Sequence, residues 1–327
     1  MILARATMEC TGLAGGCSTV KFLVGVALVA AGCGGRAVID DGPSGAPSPL
    51  ASRGIFTFSS IVFNGQQWLI GLDDLEGTGY TTDNVDGALH GACDPVFDAQ
   101  GRLLFAEGVA EASRLVRYDL ETGRVEPFEV GDAPAGLLAS IEAVALDAQG
   151  RIYGVDSAAH QVFRIDDLDG SGFVALGSGP GSGTFELDTP VDVAVGADGK
   201  IVISDPGNAR VVQVDDMSGA GWTVYDLDGE PFDPWGVAVD VSGAIYVVDF
   251  DAFALYRFDP SNEARDRVGL PGQPQHAALG ADGRIYVSFL NGSHALGVMD
   301  GFAAATLTTY TGPDDEPFIN PCGIAVR

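Results

Sequence analysis

AVALDAQGRIYGVD, residues 143–156, holds a strand-like run of small apolar residues, a turn closed by Gly150, and a second run ending on Asp156. The phrase returns as DVAVGADGKIVISD at 192–205, GVAVDVSGAIYVVD at 236–249 and AALGADGRIYVSF at 277–289. Looser copies carry the register in both directions, so that turn glycines fall at Gly54, Gly101, Gly150, Gly199, Gly243 and Gly283, 40 to 49 residues apart. Sixteen to nineteen residues after each stands an aspartate: Asp73, Asp119, Asp166, Asp215, Asp259 and Asp300. A period of that length, made of short strands and tight turns, marks propeller blades. The spacing predicts an all-β, six-bladed β-propeller over residues 54–327.

Composition agrees. With 46 Gly, 17 Pro and 19% charged residues, the chain suits many turns and buried strands, and no stretch has a convincing amphipathic helical period. Six blades fill residues 54–327 and leave nothing for a second domain. The two ends carry complementary defects. PCGIAVR at 321–327 matches the first strand of a blade, as in PWGVAVD at 234–240, but no strand follows it; GIFTFSSIVFNGQQWLIGLDD, from Gly54, lacks such a strand. The C-terminal strand is therefore expected to complete the first blade, closing the ring as a monomer without open sheet edges.

DPGNARVVQVDD at 205–216, following PVDVAVGADGKIVIS, resembles the NHL repeat and its relatives among six-bladed propellers. The resemblance implies architecture over the repeat region. It implies no activity, because propellers host lyases, lactonases, receptors and scaffolds alike.

Upstream, Lys21 precedes eleven uncharged, mostly apolar residues, 22–32, too few to span a bilayer and suited to a signal-peptide core. LVAAGCGG at 28–35 resembles the cleavage box of bacterial lipoproteins, which implies a lipid on Cys33 and an address in the cell envelope, at the outer membrane; an ordinary secretory signal is the alternative. The expected organisation is an upstream extension and signal peptide at 1–32, a lipidated Cys33 with a Pro- and Gly-rich flexible tether at 33–53, and the propeller at 54–327. The net charge of −28 argues against nucleic acid and against adhesion to anionic lipid, so membrane contact is left to the lipid alone.

Cys93 and Cys322 occupy the second position of inner strands in ACDPVFDAQG and PCGIAVR, which closure of the ring makes neighbours. Two readings stand: a disulfide between them, suited to an oxidising compartment, or two buried thiols. Around the ring the second positions read Cys322, Cys93, Glu142, Val191, Trp235 and Gln275, and the third Gly323, Asp94, Ala143, Asp192, Gly236 and His276. The channel face for binding is expected at Asp94, Glu142, Asp192, Trp235, Gln275 and His276. Ser60, Glu107, Asp156, Asp205, Asp249 and Phe289, at the ends of the second strands, fall on the same side and give it an acidic character.

Glu142, Asp94 and Asp192 are candidate ligands for a divalent cation, calcium by its preference for oxygen, although the ring requires no cofactor. Gluconolactonase-like propellers look to Glu, Asn, Asn and Asp around the channel. Here only Glu142 fits, with Trp235 and Cys322 where Asn or Asp would stand, and no catalytic residue is assigned. DLDGSG at 167–172 has the spacing of half a calcium loop but lacks its closing Glu, Ser178 standing there; a hairpin turn explains it and its equivalents DDLEGTGY and DDMSGAGW. The leading expectation is a lipid-anchored binding or scaffolding module for a protein, peptide or glycan. The alternative is a metal-dependent lactone or ester hydrolase using Glu142, Asp94, Asp192 and His276.

Overall fold

The computed structural model describes residues 50–60, 67–83, 85, 91–109, 112–128, 140–262, 264–290, 294–304, 306–314 and 318–327, with two short strands, Ala6–Thr7 and Val38–Ile39. Those two strands pair antiparallel within a unit spanning Met1–Ala46, and the blades form the other unit, Pro47–Arg327. Most of the expected signal peptide and tether, including Cys33, lies outside the described residues.

The repeat becomes six four-stranded antiparallel sheets. Blade two comprises Ala92–Phe97, Leu103–Val109, Ala112–Tyr118 and Val125–Phe128. Blade three comprises Ile141–Leu146, Ile152–Asp156, Gln161–Ile165 and Val174–Leu176, and blade four Asp192–Val195, Ile201–Asp205, Arg210–Val214 and Thr223–Tyr225. Blade five comprises Pro234–Val239, Ile245–Asp249, Ala254–Asp259 and Ala264–Gly269, and blade six Gln273–Leu279, Ile285–Leu290, Ala295–Met299 and Leu307–Tyr310. Blade one takes its inner strand, Ile319–Val326, from the C-terminus and adds Ile55–Ser60, Gln67–Leu72 and Thr81–Asp83.

Closure shows in the turn glycines. Gly101, Gly150, Gly199, Gly243 and Gly283 all have positive φ, as a tight turn between inner and second strands requires, whereas Gly54 does not. The chain enters blade one there instead of turning, and Arg327 N–H donates to Gly54 O at 2.9 Å, joining the two ends of the ring. The Arg327 guanidinium lies 4.9 Å from the centre of the Phe97 ring and donates to Gly101 O at 3.1 Å, tying the closing strand to blade two. Packing starts slightly ahead of Gly54. Leu50 is fully buried beside Phe56 and Phe58, and Arg53 pairs with Asp73 at 2.8 Å, so the last residues of the expected tether belong to the folded unit.

Every second strand of blades three to five is buried along its whole length, which explains why IVISD and IYVVD read as continuous apolar runs and not as alternation. The core lies between adjacent blades: Phe56 and Phe58 of blade one meet Phe105 of blade two, and Val155 of blade three meets Ile203 and Val212 of blade four. The residues 167–172 form a hairpin turn. Asp166 N–H donates to Ser171 O at 2.7 Å, Asp169 Oδ1 accepts Ser171 N–H, and Gly170 and Gly172 have positive φ. The same backbone bond recurs from Asp73 to Thr78 O and from Asp215 to Ala220 O, so the aspartates and glycines are accounted for by turn chemistry.

Candidate functional site

Six inner strands begin on one face of the ring, and most begin irregularly. Register shifts separate Cys93 from Val96, Ile141 from Ala143, Pro234 from Val237 and Pro274 from His276. An extra residue re-aims the side chains around it, so the start of a strand is where a propeller can point chemistry into its channel. Asp94 adopts a left-handed conformation at φ 51°, one that Asp accepts more readily than most side chains. Gly323, at φ 69° on the neighbouring strand, is needed there, since a Cβ would overlap the Asp94 backbone. The same holds at Gly236, whose Cβ would lie 2.7 Å from His276 Cα.

Three third-position residues from different blades meet in the channel. His276 Nδ1 lies 3.4 Å from Asp94 Oδ1 and 3.9 Å from Asp192 Oδ2. All three groups are enclosed, with side-chain exposures of 8% for His276, 14% for Asp94 and 5% for Asp192. Asp192 accepts Val193 N–H on Oδ1 and Val237 N–H on Oδ2, each at 2.7 Å. Asp94 accepts Val144 N–H, and His276 N–H donates to Ser288 Oγ at 3.2 Å. Burial raises the Asp94 carboxyl to about 7, and burial together with Asp94 holds Asp192 well above the usual carboxylate range. Burial pushes the His276 imidazole down to about 4. All three shifts oppose charge in a dry site.

Cys93 and Cys322 form a disulfide with α-carbons 5.0 Å apart, and Cys93 Sγ lies 3.5 Å from His276 Nε2. The imidazole thus stands between the cystine on one side and the two carboxyls on the other. Beyond the carboxyls the channel opens as a well of about 260 Å³. Every blade contributes to its wall, through Ile324, Val96, Val144, Val193, Val237 and Ala277, while Asp94 and Asp192 form its polar base. A larger cleft of about 580 Å³ runs along the outer strands of blades four and five, where Arg265 already pairs with Asp228 at 3.2 Å, far from the inner strands.

The expected set of Glu142, Asp94 and Asp192 does not assemble. Among the described residues the triads whose donor atoms lie within 4.8 Å of one another are Asp94, Asp192 and His276, and Cys93, His276 and Cys322. Glu142 stands outside both; its Oε1 accepts Ser140 Oγ–H at 2.8 Å and Ser157 Oγ–H at 2.6 Å. Glu142 sits in the register shift between Ile141 and Ala143, where its carboxylate turns to the two serines. The strand-end acids form no open acidic face either. Glu107, Asp156, Asp205 and Asp249 are buried; Asp205 accepts Asp188 N–H and pairs with Arg210, and Asp156 and Asp249 cap the following turns through Ala159 and Ala252 N–H.

Among the described residues, this face presents an aromatic pair on blade five. Trp235 stacks on Phe250 with ring centres 4.3 Å apart and planes 16° from parallel. Around the pair stand Asp233, Asp249 and Asp251, and burial together with their mutual repulsion raises the Asp233 carboxyl. Phe253, in the adjoining turn, is 45% exposed. Gln275 is enclosed with its Oε1 unpartnered. Phe250 follows the second strand by one residue, a loop position that strand counting does not reach.

No family model matches this chain, and no curated protein matches it. Solved structures do. A chain of a nidogen/laminin complex superposes with a TM-score of 0.66 at 17% identity, covering 84% of this chain and 98% of that one. A streptogramin B lyase gives 0.58 at 14% identity, covering 85% and 89%. A catalytically inactive virginiamycin B lyase from Staphylococcus aureus, with quinupristin, gives 0.55 at 15%, covering 80% and 86%. What they share with this chain is the fold. It is a six-bladed β-propeller. Since that fold serves both a complex-forming protein and lyases, function is argued from the site.

Proposed function

We propose that the protein is a binding module whose recognition surface is the face where the inner strands begin, and that its partner is a protein or peptide offering a basic side chain. The observation that carries this reading is the stacked Trp235–Phe250 pair set beside Asp233 and Asp251. Half-buried aromatic rings supply contact area at low entropic cost, and adjacent carboxylates select a cation. The strongly acidic charge of the whole chain speeds the approach of such a partner. A chain of a nidogen/laminin complex shares this fold, which fits a protein partner.

On this face the titratable cluster of Asp94, Asp192 and His276 is shut behind the cystine, and Glu142 is engaged by two serines. Both observations keep these groups from a substrate docked on this face. We place the module in the bacterial cell envelope, held by a lipid on Cys33 and carrying NHL-like repeats, on the strength of LVAAGCGG and DPGNARVVQVDD. Mass spectrometry of the membrane-extracted protein tests the anchor: a diacylated N-terminal Cys33 supports it and an unmodified N-terminus removes it.

Fluorescence anisotropy with two labelled peptides of equal length, one rich in Lys and Arg and one in Asp and Glu, tests recognition. The basic peptide is expected to bind saturably, to weaken as salt rises, and to lose at least tenfold in affinity with Trp235→Ala or Asp251→Asn. Equal affinity for both peptides, or no effect of either substitution, refutes the assignment.

A further inference from the structure

We propose that Asp94, Asp192 and His276 form a binding site for one divalent transition-metal ion, with zinc as the type, at the base of the central well. The spacing fits. An ion bound at about 2.0–2.2 Å from nitrogen and oxygen holds its ligand atoms roughly 3 to 4 Å apart, and His276 Nδ1 stands 3.4 and 3.9 Å from the two carboxylate oxygens.

The second observation is His276 itself. Its side chain is 8% exposed, yet Nδ1 has no hydrogen-bond partner, whereas buried polar atoms in folded proteins are nearly always satisfied. In the tautomer that carries its proton on Nε2, beside the Cys93 sulfur, the Nδ1 lone pair faces the two carboxyls. With the carboxyl protons released, acceptors from three blades converge on one point. A cation satisfies all three at once.

The supporting contacts are of the kind that hold metal ligands in place. Val193 and Val237 N–H fix both oxygens of Asp192, Val144 N–H holds Asp94, and Ser288 holds the His276 backbone. One imidazole with two carboxylates suits zinc, manganese or iron(II), whereas calcium selects six to eight oxygens. The second triad, Cys93, His276 and Cys322, has committed its sulfurs to the disulfide. Because Asp94 and Asp192 line the well, the open coordination positions face its apolar wall, where water or the oxygen donor of a small apolar ligand completes the shell.

The test is calorimetric titration of zinc into the full chain after removal of metals with chelator. The expected result is one ion per chain at micromolar or tighter affinity, weakened at least a hundredfold by His276→Gln and by Asp94→Asn. Glu142→Gln, outside the triad, keeps wild-type affinity. Cobalt substituted into wild-type protein gives d–d bands without a thiolate charge-transfer band. Circular dichroism checks that the variants fold; should Asp94→Asn fail to, His276→Gln and the cobalt spectrum decide. No binding leaves the two carboxyls and the imidazole to share protons and overturns the proposal. Unchanged affinity in the variants, or a thiolate band, equally overturns it.

Discussion

Removing the disulfide between Cys93 and Cys322 gives the sharpest test of how the ring is held shut. The cysteines are 229 residues apart, so the bond restricts nearly the whole unfolded propeller. In the chain-entropy treatment a loop of that length corresponds to about 5 kcal/mol at 25 °C, an upper value because strain and residual unfolded structure reduce it; native disulfides are typically worth about 2–5 kcal/mol. Unfolding entropy of about 2.1 cal/mol/K per residue, over the unit Pro47–Arg327, amounts to roughly 0.6 kcal/mol/K. The double variant Cys93→Ala, Cys322→Ala should therefore melt about 3 to 8 °C below the oxidised protein. Thermal unfolding followed by circular dichroism measures it, with a matching internal control. Reductant should lower the melting temperature of the wild type by a similar amount and leave the double variant unmoved. A wild-type shift below about 1 °C, or a reductant effect that persists in the double variant, refutes the claim that this bond secures closure.

Other outcomes follow from the same geometry. Gly323→Ala places a Cβ against the Asp94 backbone at a φ of 69°, and should cost more than about 3 kcal/mol in urea unfolding; a loss under 1 kcal/mol would mean the two strands are not so close. Arg210 pairs with buried Asp205 and donates to Ser182 O and Glu186 O, so Arg210→Met should cost about 3–5 kcal/mol and speed proteolysis at residues 182–186. Unchanged cleavage would show that the loop is held by other contacts. In chelator, folded Asp94 keeps a proton, with its pKa near 7, that the unfolded chain releases near 3.8, so its contribution favours folding at low pH and is lost as pH rises from about 4 to 7. His276, pushed down to about 4, acts in the opposite sense, and its contribution is lost as pH falls from 6.5 to 4. The stability difference between wild type and Asp94→Asn isolates the acid: wild type should lose a few kcal/mol relative to the variant between pH 4 and 7, and a constant difference contradicts the burial argument.

The blades were legible because their period is carried by residues that turns require. Gly150 and its equivalents need positive φ, and the strands between them need buried apolar side chains on both faces. Closure was legible from the missing partners of PCGIAVR and GIFTFS, and register alone made neighbours of Cys93 and Cys322. The channel cluster was harder to read. Its members, Asp94, Asp192 and His276, hold equivalent third positions on three blades, and a count that mixes second and third positions recruits Glu142 in place of His276. The register shifts that aim these side chains leave no mark in composition. Nor does strand counting show that Asp156 and Asp205, expected on an acidic face, turn inward, Asp156 to cap its own loop at Ala159 and Asp205 to hold Asp188 N–H and Arg210. Phe250 lies outside the strand pattern altogether, and only the fold brings it onto Trp235.

Hydroxyl-radical footprinting of the protein with and without the basic peptide bears most directly on the proposed recognition face. Trp235, Phe250 and Phe253 lie where the inner strands begin, while Val241, 96% exposed, lies in the turn at the opposite end of the same blade. Protection of the three aromatic residues is expected, with none at Val241. Protection at Val241 with the aromatic residues unchanged would move recognition to the opposite face and contradict the proposal.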